Sequence, residues 1–142
     1  MDNLTEIEQK NIQTIGRLLQ GFTTGNTDQV DELVHNDFVN HNAPDGVKDK
    51  EGFKEIIKMV FGTFSEFDSL NLKPEILFAK DDMVTMMDTG TGERNGKTYL
   101  HNDIHIFKMK DGQMIEHWNS FNLPRQQEVL MNFMQESNSD QQ

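Results

Sequence analysis

Between Lys97 and Asn122 the chain reads KTYLHNDIHIFKMKDGQMIEHWNSFN, with Asp111-Gly112 set between two β-rich runs. A second pair, Asn95-Gly96, stands just before this stretch. A two-residue type I′ turn needs positive φ at both central positions, which Asn-Gly and Asp-Gly tolerate; such pairs between apolar runs are strong hairpin signals. Two tight turns one strand apart constrain this chain more than any other feature. They demand three consecutive antiparallel strands and set which residues stand opposite one another.

From the first turn, Asp88 is expected opposite Asp103, Met86 opposite His105 and Gly90 opposite His101. From the second, His105 is expected opposite Trp118, Asp103 opposite Ser120, His101 opposite Asn122 and Phe107 opposite Glu116. Side chains alternate along a strand. One face should therefore collect Met86, Asp88, His101, Asp103, His105, Glu116, Trp118, Ser120 and Asn122. The other should collect Met87, Asn102, Ile104, Ile106, Ile115, His117, Asn119 and Phe121.

The segments before the meander read as helices. Asn3 is a candidate N-cap with Glu6 three residues on, and Leu4, Ile7, Ile12, Ile15, Leu18, Leu19 and Phe22 recur at helical spacing. Gly21 and Gly25 end that helix. A short one follows over 27–34, then a brief strand at Phe38-Val39 and a turn at residues 42–46. From Asp49, the residues Phe53, Ile56, Ile57, Val60, Phe61 and Phe64 make a wide apolar stripe suited to lying across a sheet. Residues 70–79 and 83–91 read as strands, with Pro74 marking an edge or a bulge in the first. Val129, Leu130, Phe133 and Met134 predict a short C-terminal helix, and residues 136–142 a disordered tail. Helices first and a meander after is an α+β pattern: three N-terminal helices packed on a curved antiparallel sheet.

At 142 residues the chain is expected to form one domain over 1–142. It has no cysteine, which excludes disulfides, thiolate metal sites and a thiol nucleophile. Twenty-four acidic against 13 basic residues give a net charge of −11, a poor match to nucleic acid or an anionic membrane. No apolar run approaches the ~20 residues that span a bilayer. The opening MDNLTEIEQK lacks the features of a signal peptide, so a cytoplasmic protein is expected.

The face holding Asp88, Asp103, His101 and His105 carries the chemistry. Two carboxylates at cross-strand distance cannot both ionise cheaply where water is excluded, so one is expected to serve as acid or base near neutrality. A structural Asp–His network at a solvated mouth is the bland alternative. His101, Asp103 and His105 also alternate like metal ligands, with Asp88 or His41 to complete a set. Without a spacing such as HExxH, neither a metal nor any other cofactor is expected. Ser120 lacks the glycine-flanked elbow of a nucleophile.

Several runs resemble the SnoaL-like polyketide cyclases of the nuclear-transport-factor-2-like and ketosteroid-isomerase-like superfamily. They are Phe38-Val39-Asn40-His41-Asn42, Asp82-Met83-Val84 and, above all, Lys110 to Asn119, KDGQMIEHWN, which is similar to the family's DGKI-x-EHWD signature. The resemblance covers about residues 4–135. It implies a cone-shaped α+β barrel whose helices close over the concave sheet face and whose convex face forms homodimers. His41 matches the family's pocket histidine, and Phe38, Met86, Trp118, Glu116 and Asn122 are expected to line the pocket with it. In the cyclases an Asp four residues after the Trp is the acid/base of an aldol-type ring closure; here that position is Asn122, and the signature's Asp is Asn119. Asp88 and Asp103 must then take the acid/base role, with His101, His105 and His41 orienting the substrate. The expected partner is a small, largely apolar, carbonyl-bearing molecule. The competing expectation is a non-catalytic ligand-binding or dimerisation module. Epoxide hydrolases of this fold need an Asp-Arg-Asp arrangement, which Arg17, Arg94 and Arg125 are poorly placed to supply.

Overall fold

The computed structural model describes residues 3–120 and 123–139. Helix α1 (Glu6–Thr24) begins at Thr5, not Asn3: the Thr5 hydroxyl accepts from Glu8 N at 3.1 Å and Thr5 N donates to Glu8 Oε1 at 2.9 Å. Asn3 and Glu6 satisfy the same spacing, but Asn3 has φ 113° instead of the extended backbone of an N-cap. The face turned to the sheet carries Glu8, Asn11, Ile15 and Leu18, whereas Ile7 is 70% exposed. Gly25 ends the helix at φ 74°, where a Cβ would also strike the Phe61 ring at 2.6 Å.

A short helix α2 (Asp28–Leu33) leads into strand β1 (Val34–Asn40), and Asp49 caps α3 (Lys50–Phe64) by accepting from Gly52 N at 2.8 Å. The meander is β2 (Ser69–Lys80), β3 (Met83–Arg94), β4 (Lys97–Lys110) and β5 (Gln113–Asn119). Both hairpin turns have the expected positive φ, 54° and 79° at Asn95-Gly96 and 53° and 78° at Asp111-Gly112. The five strands run β1-β5-β4-β3-β2 across a curved sheet. The meander is antiparallel, and β1 adds a parallel edge against β5. Pro74 marks both an edge and a bulge, because β2 is the outer strand and its register slips between Pro74 and Ile76.

The β3–β4 register is the one its turn dictates, with Asp88 opposite Asp103, Met86 opposite His105 and Gly90 opposite His101. The β4–β5 register is not. Met109 faces Met114 but Lys108 faces Glu116, so Ile115 is an extra residue on β5. Beyond it every partner moves by one: Phe107 faces His117, Ile106 faces Trp118 and His105 faces Asn119. A one-residue slip turns each later side chain to the opposite face.

The core lies between the sheet and helices α1–α3. Ile15, Leu18, Val30, Leu33, Phe53 and Ile57 from the helices meet Val34, Phe38, Val84, Met86, Phe107, Met109 and Met114 from the strands, all buried. The C-terminal helix α4 (Leu123–Ser139) is longer than its apolar pattern indicates and takes in residues 136–139 of the expected tail. Arg94 holds it there, donating to Met134 O, Ser137 Oγ and Asn138 Oδ1 at 3.2, 2.8 and 2.7 Å. Residues 140–142 and Asn122 lie outside the described residues. No described helix is long and apolar enough to cross a membrane.

Candidate active site

A cavity of about 350 Å³ opens between the inner face of the sheet and the helices. Its walls are apolar: Leu19 and Phe22 of α1, Phe53, Ile56, Met59, Val60 and Phe64 of α3, Leu72 and Pro74 of β2, and Leu130 of α4. Its floor is polar and comes mostly from alternate residues of β4, where Tyr99, His101, Asp103 and His105 share the inner face. Gly90 stands opposite His101, and a Cβ there would press on Leu72 at 2.9 Å while meeting His101 at an ordinary 3.5 Å, so its bare backbone leaves Leu72 its place in the wall.

The two carboxylates are treated unequally. Asp103 is 2% exposed and saturated. Ser120 Oγ donates to its Oδ1 at 2.8 Å, Asn119 Nδ2 to its Oδ2 at 3.2 Å, and His105 Nε2 lies 3.4 Å from Oδ2. The Ser120 hydroxyl accepts from Ile104 N at 3.0 Å, which aims its own proton at Asp103. Asp88 makes no hydrogen bond among the described residues, and its Oδ1 is buried, with His105 Nε2 3.5 Å away. One imidazole nitrogen thus stands between both carboxylates. Single ligand atoms of Asp88, His101 and Asp103 lie within 4.8 Å of one another, so among the described residues these three form the set that could hold a metal ion.

Behind His105 is a second imidazole. His105 Nδ1 and His117 Nε2 are 2.8 Å apart, and the His117 ring stacks on Phe107 with centroids 4.8 Å apart. Burial holds the His117 pKa well below the ordinary histidine value, and repulsion that any charge on the neighbouring His105 or His41 ring would add lowers it further, so this ring is neutral. Burial also pushes the Tyr99 hydroxyl up from its usual value, keeping it protonated.

Asp88, His101, Asp103 and His105 therefore meet at the cavity. Trp118, Glu116 and His41 do not, and the bulge at Ile115 is the reason. It turns Glu116 and Trp118 to the outer face, where His41 lies flat on Trp118 at 4.6 Å with its Nε2 3.0 Å from Glu116 Oε1. Phe38 and Met86 point inward but lie beneath the cavity in the core; Phe38 packs edge-on to Phe53 at 5.6 Å. In their place the cavity gains His117, Asn119, Asn40, Asn42 and Tyr99. Tyr99 was legible, since it alternates with His101; His117 and Asn119 were not, because nothing in Met114-Ile115-Glu116 announces a bulge.

The family model of the SnoaL-like polyketide cyclases matches residues 12–127. The chain belongs to that family. No curated protein matches this SnoaL-like chain in sequence. Solved structures share its fold. A putative polyketide cyclase from Bacillus cereus ATCC 10987 superposes with a TM-score of 0.66 at 24% identity, over 78% of this chain and 72% of that one. A putative SnoaL-like polyketide cyclase from Jannaschia sp. CCS1 gives 0.63 at 22% identity, over 84% and 92%. An LEH-like epoxide hydrolase from M. tuberculosis gives 0.59 at 14% identity, over 79% and 82%. Among the described residues of this SnoaL-like chain no arginine lines the cavity: Arg17 pairs with Glu32 and Arg94 is committed to α4. Asn119, at the signature's Asp position, donates its amide to Asp103.

Proposed function

We propose that this SnoaL-like chain abstracts a proton next to the carbonyl of a small, largely apolar molecule, giving a cofactor-free isomerisation or aldol-type ring closure. The observation that supports it is Asp88: a carboxylate at an apolar cavity, with no hydrogen bond closer than the 3.5 Å approach of His105 Nε2, keeps lone pairs for a substrate proton. Asp103, whose oxygens already accept from Ser120 and Asn119, is the fixed anion that orients His105. His101, beside Asp88, is placed to polarise the carbonyl oxygen as charge develops on it. The apolar walls select the substrate's body and keep water from competing for the proton.

The test is hydrogen exchange. Cyclic ketones with acidic α-protons, such as 2-tetralone, are incubated with the protein in D2O and the loss of α-proton signal is followed by NMR. Exchange faster than in buffer, abolished in Asp88→Asn, is the expected result. Tight ketone binding with no exchange above buffer would favour the alternative, a non-catalytic binding module. Asn119 favours that alternative, since an amide cannot act where the family signature carries a carboxylate.

The same reading includes a homodimer through the outer face of the sheet. Ile76 and Phe78 of β2 and Ile104 and Ile106 of β4 are each between 39% and 49% exposed there. An apolar stripe across several strands is the usual mark of a surface that another chain covers.

A further inference from the structure

The paired imidazoles carry an inference about proton placement that deepens the proposed acid–base reading and rests on it for its catalytic consequence. We infer that His117 is a positioning residue: its Nε2–H donates to His105 Nδ1, so that the neutral His105 ring carries its own proton on Nε2, directed at Asp88 and Asp103.

The argument is one of elimination over the nitrogens. The 2.8 Å contact between His105 Nδ1 and His117 Nε2 needs one proton between them. If His105 supplied it, His117 would have to be protonated at Nδ1, since a neutral imidazole carries one N–H. His117 Nδ1 is buried with no hydrogen-bond partner, and an N–H there would be an unpaired donor in the core. A bare lone pair at that nitrogen is the lesser penalty, because orphaned buried donors are rarer than under-satisfied acceptors. The proton in the contact therefore belongs to His117 Nε2.

The other side of His105 agrees. Its Nε2 lies 3.5 Å from Asp88 Oδ1 and 3.4 Å from Asp103 Oδ2. A lone pair directed at two carboxylates would be repelled, whereas an N–H is attracted to both. With Nδ1 accepting and Nε2 donating, every polar atom of His105 has a complementary neighbour. The geometry resembles the way a ring orienter sets a catalytic tautomer elsewhere, but here the orienter is a second imidazole kept neutral by the core. His117 touches neither the Asp88 nor the Asp103 carboxylate in this arrangement, so its effect on the reaction passes through His105.

Nitrogen-15 NMR of the intact protein labelled at histidine tests this directly. At neutral pH the expected spectrum shows a one-bond N–H coupling at His105 Nε2 and at His117 Nε2, with lone-pair-type shifts at both Nδ1 atoms. His117→Phe keeps the stack on Phe107 but removes the donor, so His105 Nδ1 is free to take up a second proton while Nε2–H stays on the carboxylates, and an N–H signal should then appear at His105 Nδ1. His117→Gln, which retains an N–H donor, should suppress that signal. A proton found on His105 Nδ1 or His117 Nδ1 in the wild type would overturn the assignment, as would a His105 spectrum unchanged in His117→Phe. These signals are independent of turnover. A protein with the expected tautomers and no ketone exchange would refute the acid–base function while upholding the proton placement.

Discussion

Asp88 and Asp103 are cross-strand partners, yet the Asp103 carboxylate accepts hydrogen bonds from Ser120 and Asn119, whereas the Asp88 carboxylate accepts none among the described residues. Backbone symmetry across the pair has been broken by Asn119 at the end of β5 and Ser120 just beyond it, which supply donors to one side. The two residues should respond differently to the same change. Asp88→Asn should keep the melting temperature and lose ketone exchange by a factor of ~10²–10⁴, the range for a general base. Asp103→Asn places an amide among three donors, and leaving buried donors unmet costs about 1–3 kcal/mol each, so it should unfold at clearly lower temperature. Equal melting temperatures and equal exchange in the two variants would refute the division of labour.

The buried neutral His117 predicts how stability depends on pH. Its folded pKa is depressed, so below about 6.5 the unfolded chain binds a proton that the native state refuses. Stability from this residue is present above that pH and is lost as pH falls, with a slope approaching ~1.4 kcal/mol per unit. Urea unfolding between pH 7 and pH 5 should show His117→Phe losing less stability on acidification than the wild type. Parallel curves would contradict the assignment of this slope to His117.

Glu8 joins two distant pieces of chain. Its carboxylate accepts from Thr5 N in the capping box and, at 2.6 Å, from Asp81 N in the β2–β3 turn, and these backbone donors lower its pKa. Asp81 has φ 55°, a conformation that the Glu8 contact helps to hold. Glu8→Ala should lower the melting temperature more than Glu6→Ala, and it should speed hydrogen exchange at Asp81 N. Because the folded pKa is depressed, the difference should shrink as pH falls through the folded value.

Gly90 leaves room for Leu72 in the cavity wall. A methyl there would push Leu72, which lines the cavity, while leaving the strand pairing intact. Gly90→Ala should weaken binding of a ketone probe by about tenfold, or ~1.4 kcal/mol, with the fold retained. Isothermal titration of the two proteins measures this, and unchanged affinity would place the ligand elsewhere in the cavity.

Ile104 lies near the middle of the exposed stripe on the outer face of the sheet. If a second copy covers it, Ile104→Glu should turn a dimer into a monomer in light scattering without altering the cavity floor. A wild type that is monomeric at high micromolar concentration would end the dimer proposal.

Legibility from sequence followed the turns. Asn95-Gly96 permits one tight connection, so every β3–β4 pair, including Asp88 with Asp103, could be counted outward from it. Asp111-Gly112 did the same for Lys110 opposite Gln113 and Met109 opposite Met114, and then the count failed at Ile115. A bulge there needs neither glycine nor proline; the packing of Met114 and His117 into the core, three residues apart, imposes it, and that is a tertiary requirement. The α1 cap was misplaced for a different reason. Two overlapping spacings, Asn3 with Glu6 and Thr5 with Glu8, both fit a capping box; Thr5 has the extended backbone of a cap, Asn3 does not, and Glu8 is tied besides to Asp81. Asn40 and Asn42 entered the cavity because β1 joins β5 in parallel, a long-range pairing with no local signal.

The extra residue in β5 also means that one strand holds two alternative linings. With Ile115 deleted, the residues from Glu116 onward would rotate by half a turn. A tryptophan and a glutamate would then face the cavity, and the paired imidazoles would be separated by the sheet. A change of a single codon in length, with no residue substituted, would thus exchange what the cavity offers for what the outer surface offers. In this strand the chemistry of the interior is decided by counting as much as by composition.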